Sequence, residues 1–261
     1  SLHDALPILD FIQKKGAEYY GDPPSESKLS ETDVIILCGY PINSTSANSL
    51  ELIKQQLERG KSLFFIASYD TDYNKLKRLE EYLPFRVAQA GKQEFTAIAD
   101  FKQEALSNPL LRIEGVEEDL QHWNKLPPIY RTETFVDVKP ESEIIAGMKV
   151  NNVEINEPLI MTRDFNNKKS VAVVGYGLYR WKLLGYAAEI SKGRSQTYDL
   201  YDIFMNNAIR WLSVREKNKM IRIKTTKKHF ANTEEVEFVA QVYDAAYTPI
   251  DNAEVVVTVS G

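Results

Sequence analysis

Val34-Ile35-Ile36-Leu37-Cys38, then a polar loop at 41–46, then Ser49-Leu50-Glu51-Leu52-Ile53-Lys54-Gln55-Gln56-Leu57-Glu58-Arg59-Gly60, then Leu63-Phe64-Phe65-Ile66-Ala67: residues 33–73 decide how the rest is read. Leu50, Ile53 and Leu57 recur at helical spacing, and Gly60 stands where a helix C-cap belongs. The two flanking runs are apolar throughout, so each predicts a strand covered on both faces. That is the habit of a parallel sheet inside an α/β layer fold. Ligands in such sheets bind at the carboxyl ends of strands. The places to search for chemistry are therefore Cys38-Gly39-Tyr40-Pro41 and Ser68-Tyr69-Asp70-Thr71-Asp72.

Outward from this unit, residues 9–16 read as the tail of a helix ended by Gly16, and 17–30 as a loop around Pro23-Pro24. Asp70 or Thr71 can cap a helix through Tyr73, Leu76, Leu79 and Leu83, stopped before Pro84. Residues 85–101 read as extended segments about a turn at Gly91, and 106–128 as irregular. β-Rich runs follow at 130–138, 143–150, 158–163 and 170–174, separated by Pro140, Asn151-Asn152 and Asn166-Asn167. Helices are expected over about 179–190 and 198–214. The second carries a stripe of Tyr201, Phe204, Met205, Ala208 and Leu212. After a charged stretch at 216–219, β-rich runs at 221–225, 236–243 and 253–259 suggest the opening of an immunoglobulin-like sandwich. A whole one needs about 100 residues, so the chain reads as a fragment of a longer protein.

The 261 residues suffice for one α/β domain and a small second unit. A net charge of −5 argues against nucleic acid as the main partner. The single cysteine excludes an intrachain disulfide and a cysteine-based metal cluster. No run approaches the roughly 18 apolar residues of a membrane span, and no signal peptide is visible. Ser1-Leu2-His3-Asp4-Ala5-Leu6-Pro7-Ile8 looks like a translated sequencing-library adapter and is set aside, His3 with it.

Together, Asp33-Val34-Ile35-Ile36-Leu37, Arg59-Gly60-Lys61, Leu63-Phe64-Phe65-Ile66, Val171-Ala172-Val173-Val174-Gly175-Tyr176-Gly177, Arg180-Trp181 and Asn207-Ala208-Ile209-Arg210-Trp211-Leu212 resemble the class I glutamine amidotransferase-like superfamily. The likeness is to noncatalytic members in bacterial membrane-associated proteins, where they stand beside immunoglobulin-like or von Willebrand factor A-like modules, and the tail from Ile221 looks like the opening strands of an immunoglobulin-like or macroglobulin-like module. It implies a flavodoxin-like, mostly parallel sheet with helices on both faces over 9–215, then a partial β-sandwich over 216–261. It also implies an extracytoplasmic, membrane-anchored setting. The partners implied are other modules of the same chain or envelope proteins, and membrane contact would come only through parts of the parent protein outside this sequence.

An active amidotransferase needs a cysteine on the turn after its elbow strand and a later His-x-Glu. The turn here is Ser68-Tyr69-Asp70, and no His-x-Glu occurs. No catalytic residue, cofactor or metal is therefore expected, and the reading is a noncatalytic interaction or scaffold domain. The alternatives are a hydrolase or amidotransferase-type enzyme with Cys38 or Ser68 as nucleophile, and a small-ligand-binding domain using the strand-end cleft. Ser68 needs a base, and His122 is the only candidate. A buried small hydrophobe is the usual role of a free cysteine such as Cys38. Asp70-Thr71-Asp72-Tyr73-Asn74 opens like a calcium loop and has Glu81 twelfth, but Lys75 replaces the glycine such loops require. Gly175-Tyr176-Gly177 lacks the third glycine of a dinucleotide loop. The expected binding face is Tyr69, Asp70, Asp72, Tyr176, Tyr179, Arg180 and Trp181, where Trp181 can equally pack on the sheet.

Overall fold

A computed structural model describes residues 12–16, 18–20, 22–186, 198–214, 221–225, 236, 238–242 and 256. The octet 1–8 lies outside them. The chain divides into two compact units, Ser1–Val214 and Arg215–Gly261.

The first unit is built on a seven-stranded sheet. Its strands are β3 (Val34–Cys38), β4 (Ser62–Ile66), β6 (Glu94–Phe101), β7 (Ile129–Thr132), β9 (Ser142–Val150), β10 (Val153–Phe165) and β11 (Lys168–Val173). Their spatial order is β3-β4-β11-β10-β9-β6-β7. β3–β4 and β4–β11 are parallel. The remaining four pairings, from β11 to β7, are antiparallel. Four antiparallel pairings against two parallel ones make a mixed sheet, and the expected flavodoxin-like parallel sheet is corrected accordingly. The cause is local. β9–β10 and β10–β11 are joined by two-residue loops whose asparagines all take positive φ: Asn151 50°, Asn152 64°, Asn166 51° and Asn167 60°. That is the backbone of a type I′ hairpin turn, and a parallel connection would need a dozen residues or more.

Other local expectations also give way. Residues 13–20 form a hairpin of β1 (Gln13–Lys15) and β2 (Glu18–Tyr20), not a helix tail. The loop read over 17–30 contains a short helix, α1 (Glu26–Ser30), capped by Ser25. The strands either side of Gly91 do not pair with each other: β5 (Phe85–Gln89) pairs with β8 (Phe135–Val138), and β6 with β7 and β9. The helix after residue 72 is one turn of α3 (Tyr73–Leu76) continued as a 3-10 helix, Lys77–Tyr82. In 106–128 the chain makes 3-10 turns and a short helix, α4 (Asp119–Trp123). The helix expected over 179–190 does begin at Tyr179, but continues as a π-helical turn, Trp181–Tyr186, and 187–197 lie outside the described residues.

Both faces of the sheet are covered. Alternation along β4 sends Leu63 and Phe65 to one face, and Phe64 and Ile66 to the other. On the first, Leu50, Ile53 and Leu57 of α2 (Ala47–Glu58) pack with Leu76, Leu79 and Leu83. On the second, Phe204, Ala208 and Leu212 of α5 (Leu200–Ser213) pack with Trp123 and Trp181. Burying each large apolar side chain contributes about 1.5–3 kcal/mol. A buried hydrogen bond, Ser62 Oγ to the Leu212 carbonyl at 2.8 Å, fixes the end of α5 against β4.

In the second unit, β12 (Ile221–Thr225) pairs antiparallel with β13 (Phe238–Val242). This two-stranded ladder is what the described residues of the unit show, and it gives no support to the expected partial immunoglobulin-like sandwich, which is withdrawn. The run at 253–259 lies outside the described residues except Val256.

Candidate functional site

Three strands deliver their carboxyl ends to one edge of the sheet: β3 ends at Cys38, β4 at Ile66 and β11 at Val173. After β4 the chain turns tightly. The Ser68 amide donates to Thr71 Oγ1 at 2.8 Å, and the two hydroxyls lie 3.3 Å apart. Gly39 (φ 65°) comes so close to this turn that a Cβ there would meet Ser68 Oγ at 3.0 Å. Asp72, rather than Asp70 or Thr71, caps α3: its carboxylate accepts from the Asn74 and Lys75 amides. That use replaces the calcium-loop reading, and no cluster of metal-ligating side chains occurs among the described residues. Asp70 is exposed, and Tyr69, 47% exposed, lies under the Lys92 ammonium, 5.7 Å from ring centre to nitrogen.

After β11 the two glycines have a structural reason. A side chain at Gly175 would strike Ile129, Leu159 and the Tyr130 carbonyl, each at 3.1 Å; one at Gly177 (φ 81°) would strike the Tyr130 ring at 3.0 Å. The glycines admit Tyr130, which bridges to Tyr176 through both backbone amides at 2.9 and 2.8 Å. The two rings stack with centroids 5.8 Å apart. Arg180 lies over the Tyr130 ring at 4.8 Å and donates from Nη1 to its hydroxyl at 2.7 Å. The Tyr176 hydroxyl donates to Glu94. Burial, reinforced by that carboxylate, holds its pKa well above the ordinary tyrosine value. Tyr179 projects outward, 57% exposed. Trp181 does not belong to this surface: it is 1% exposed, packs on Phe204 at 5.8 Å and donates to the Pro127 carbonyl.

The structure thus brings Tyr176 and Arg180 together through Tyr130, leaves Tyr69 and Tyr179 outward, and assigns Asp72 and Trp181 to structural work. It adds Tyr130 and Glu94, which sequence reasoning missed, and Tyr73, which the sequence shows only as the start of a helical stripe. Tyr73 is 5% exposed and its hydroxyl has no hydrogen-bond partner. Burial pushes its pKa up, against the opposing pull of nearby Thr132, Arg131 and Thr134. Tyr130 and Glu94 have no local sequence signal, because each arrives on an element distant in sequence from β4 and β11, whereas Tyr73 follows β4 directly.

Among the described residues, no hydrogen bond joins either nucleophile candidate to a histidine. Among the described residues Ser68 and His122 share no hydrogen bond, and the His122 ring packs edge-on against Tyr198 at 5.0 Å. Cys38 is exposed by area, yet desolvation of its thiol pushes the pKa up, away from the reactive thiolate.

Comparison with protein-family models gives no match, and comparison with curated protein sequences gives none either. Among solved structures the chain is similar to "Cytoplasmic Protein STM3548 from Salmonella typhimurium" (TM-score 0.47, 15% identity, 73% of this chain and 76% of that one). It is similar too to "Cytoplasmic Protein STM1381 from Salmonella typhimurium LT2" (TM-score 0.48, 14%, 77% and 94%). A third is the β-galactosidase from Bacillus circulans sp. alkalophilus (TM-score 0.39, 10%, 75% and 25%). Scores and identities this low carry no argument about activity, substrate or partner. The amidotransferase-like resemblance is withdrawn, since the sheet is mixed and no family model supports it. The extracytoplasmic, membrane-anchored setting goes with it, because it rested on that resemblance alone. Both Salmonella proteins carry the word cytoplasmic in their names. No helix among the described residues is long and apolar enough to cross a membrane, which says nothing of a β-barrel.

Proposed function

We propose that the unit Ser1–Val214 is a noncatalytic interaction domain whose strand-end face docks a protein module, from the same chain or another. The observation that supports this most is how the polar groups at the strand ends are used. The Ser68 hydroxyl is tied to Thr71, and Asp72 to a helix cap. Tyr69 and Tyr179 meanwhile stand exposed, and Tyr130 and Tyr176 stack on one another. Exposed tyrosines on a rigid support give large contact area at low entropic cost. A serine or thiol without a base gives slow chemistry.

The test is a panning of displayed random peptides against the whole chain. Selected peptides are expected to bind the wild type and to lose about tenfold or more in affinity, the scale of a hot-spot loss, against Tyr69→Ser/Tyr179→Ser. They should keep their affinity for Phe165→Ser, on the β10–β11 hairpin at the opposite end of the sheet. Peptides that bind all three alike would contradict the assignment of the face.

A further inference from the structure

Resting on that reading of the face, we infer that Arg180 is its recognition residue and that it receives a carboxylate presented beside an aromatic or apolar group. Arg180 is held in place and, among the described residues, paired with no acid. The Tyr130 ring lies beneath its guanidinium, and the Tyr130 hydroxyl takes Nη1. Nε is shielded from solvent and has no hydrogen-bond partner, and Nη2 has none among the described residues. No ion pair joins Arg180 to an acid there, whereas the buried Arg131 has Glu157 at 3.0 Å and the exposed Arg59 has Glu26 at 2.9 Å. Glu94, the acid that reaches this aromatic stack, is taken by the Tyr176 hydroxyl instead.

The unpaired edge, Nε with Nη2, is the edge of a guanidinium that matches a carboxylate in two parallel hydrogen bonds. As it stands Nε is closed to solvent, so a carboxylate meets Nη2 first and pairs with Nε as the side chain turns on the Tyr130 ring. An unpaired buried donor on a charged group is costly, so a carboxylate that pairs with it gains more than one meeting a freely solvated arginine. The surroundings select what the carboxylate is attached to. Tyr179, Leu183 and Leu184 are 57%, 63% and 48% exposed within the same short stretch of chain. An acidic group on an apolar or aromatic stem suits a charge with exposed apolar side chains this near it in sequence.

The experiment uses the whole chain, 15N-labelled, and follows the Nε–Hε signal of Arg180 during titration with three probes. N-acetylphenylalanine presents a chain-terminal carboxylate, N-acetyl-phenylalanyl-aspartyl amide a side-chain carboxylate, and N-acetylphenylalanine amide neither. A saturable shift with one or both carboxylates, at least about tenfold weaker with the amide and in Arg180→Gln, is expected from the loss of charge-assisted hydrogen bonds. Which carboxylate binds better tells a chain terminus from an acidic side chain. If Arg180→Gln melts early, Tyr130→Phe serves instead: it removes the hydroxyl that holds Nη1 and is expected to weaken carboxylate binding several-fold. Equal shifts with acid and amide, unchanged binding in both variants, or no shift with any probe would overturn the inference. Peptides that still need Tyr69 and Tyr179 would then leave the interaction domain standing without its carboxylate specificity.

Discussion

Replacing Phe204 by alanine removes the side chain on which α5 closes the second face of the sheet. Phe204 is 0% exposed and meets three other rings: Phe64 at 6.3 Å, Trp123 at 6.4 Å and Trp181 at 5.8 Å. Truncating a buried phenylalanine costs about 3–5 kcal/mol, from lost transfer energy and the cavity left behind. Edge-to-face partners add about 0.5–1.5 kcal/mol per pair beyond buried area. All three contacts are steeply inclined, between 71° and 78°. The expected loss therefore lies at the upper end, roughly 4–5 kcal/mol, a large share of the ~5–15 kcal/mol that holds a domain. Phe204→Leu keeps most of the volume and should cost less than about 1.5 kcal/mol. Urea unfolding of the full chain, followed by tryptophan fluorescence, reads both values. The slope against urea should stay unchanged if the native surface does. A loss below about 1 kcal/mol for Phe204→Ala, a figure typical of an ordinary substitution, would show that α5 does not pack on β4 as described.

The same packing predicts that a chain ending at Lys217 melts cooperatively while one ending at Gln196, which lacks α5, does not; circular dichroism melts compare them. Asn166→Ala forces a Cβ residue without a local hydrogen-bonding group into positive φ and should cost about 1–2 kcal/mol, whereas Asn166→Gly should be neutral within a few tenths; equal effects would argue against the hairpin turn. Lys139 is buried, and desolvation, with Arg163 adding to it, brings its pKa down to about 8. The unfolded chain then binds more protons than the native one between about pH 8 and the ordinary lysine value, so stability rises with pH across that window. Denaturant melts of wild type against Lys139→Met should show the rise only in the wild type. The raised pKa of Cys38 predicts alkylation by iodoacetamide at neutral pH slower than that of glutathione, with the rate climbing only at more alkaline pH.

Much of the first half of the sheet was legible because its signals are local. The apolar runs at β3 and β4 and the Gly60 cap (φ 89°) appear where the pattern put them. The mixed sheet was legible too, in Asn151-Asn152 and Asn166-Asn167. Two-residue loops between strands dictate antiparallel partners, and that local fact outranks the strand–helix–strand unit at 34–66. What the sequence does not display is that β11 inserts next to β4, about a hundred residues away, and so carries the whole antiparallel meander into the same sheet. Leu76, Leu79 and Tyr82 are buried at a spacing of three, the 3-10 period, and this spacing was folded into a helical pattern with Leu83. At the candidate site, Tyr69, Tyr176, Tyr179 and Arg180 could be named because they follow apolar strands. Tyr130 and Glu94 arrive on β7 and β6, and only the register of the sheet places them there.

The claim that matters most is that the thiol and hydroxyl at the strand ends perform no chemistry. Incubating the whole chain with glutamine and measuring ammonia tests it directly, with Cys38→Ala and Ser68→Ala alongside. The account predicts the same background release from all three proteins. Release from the wild type that disappears in either variant would contradict it.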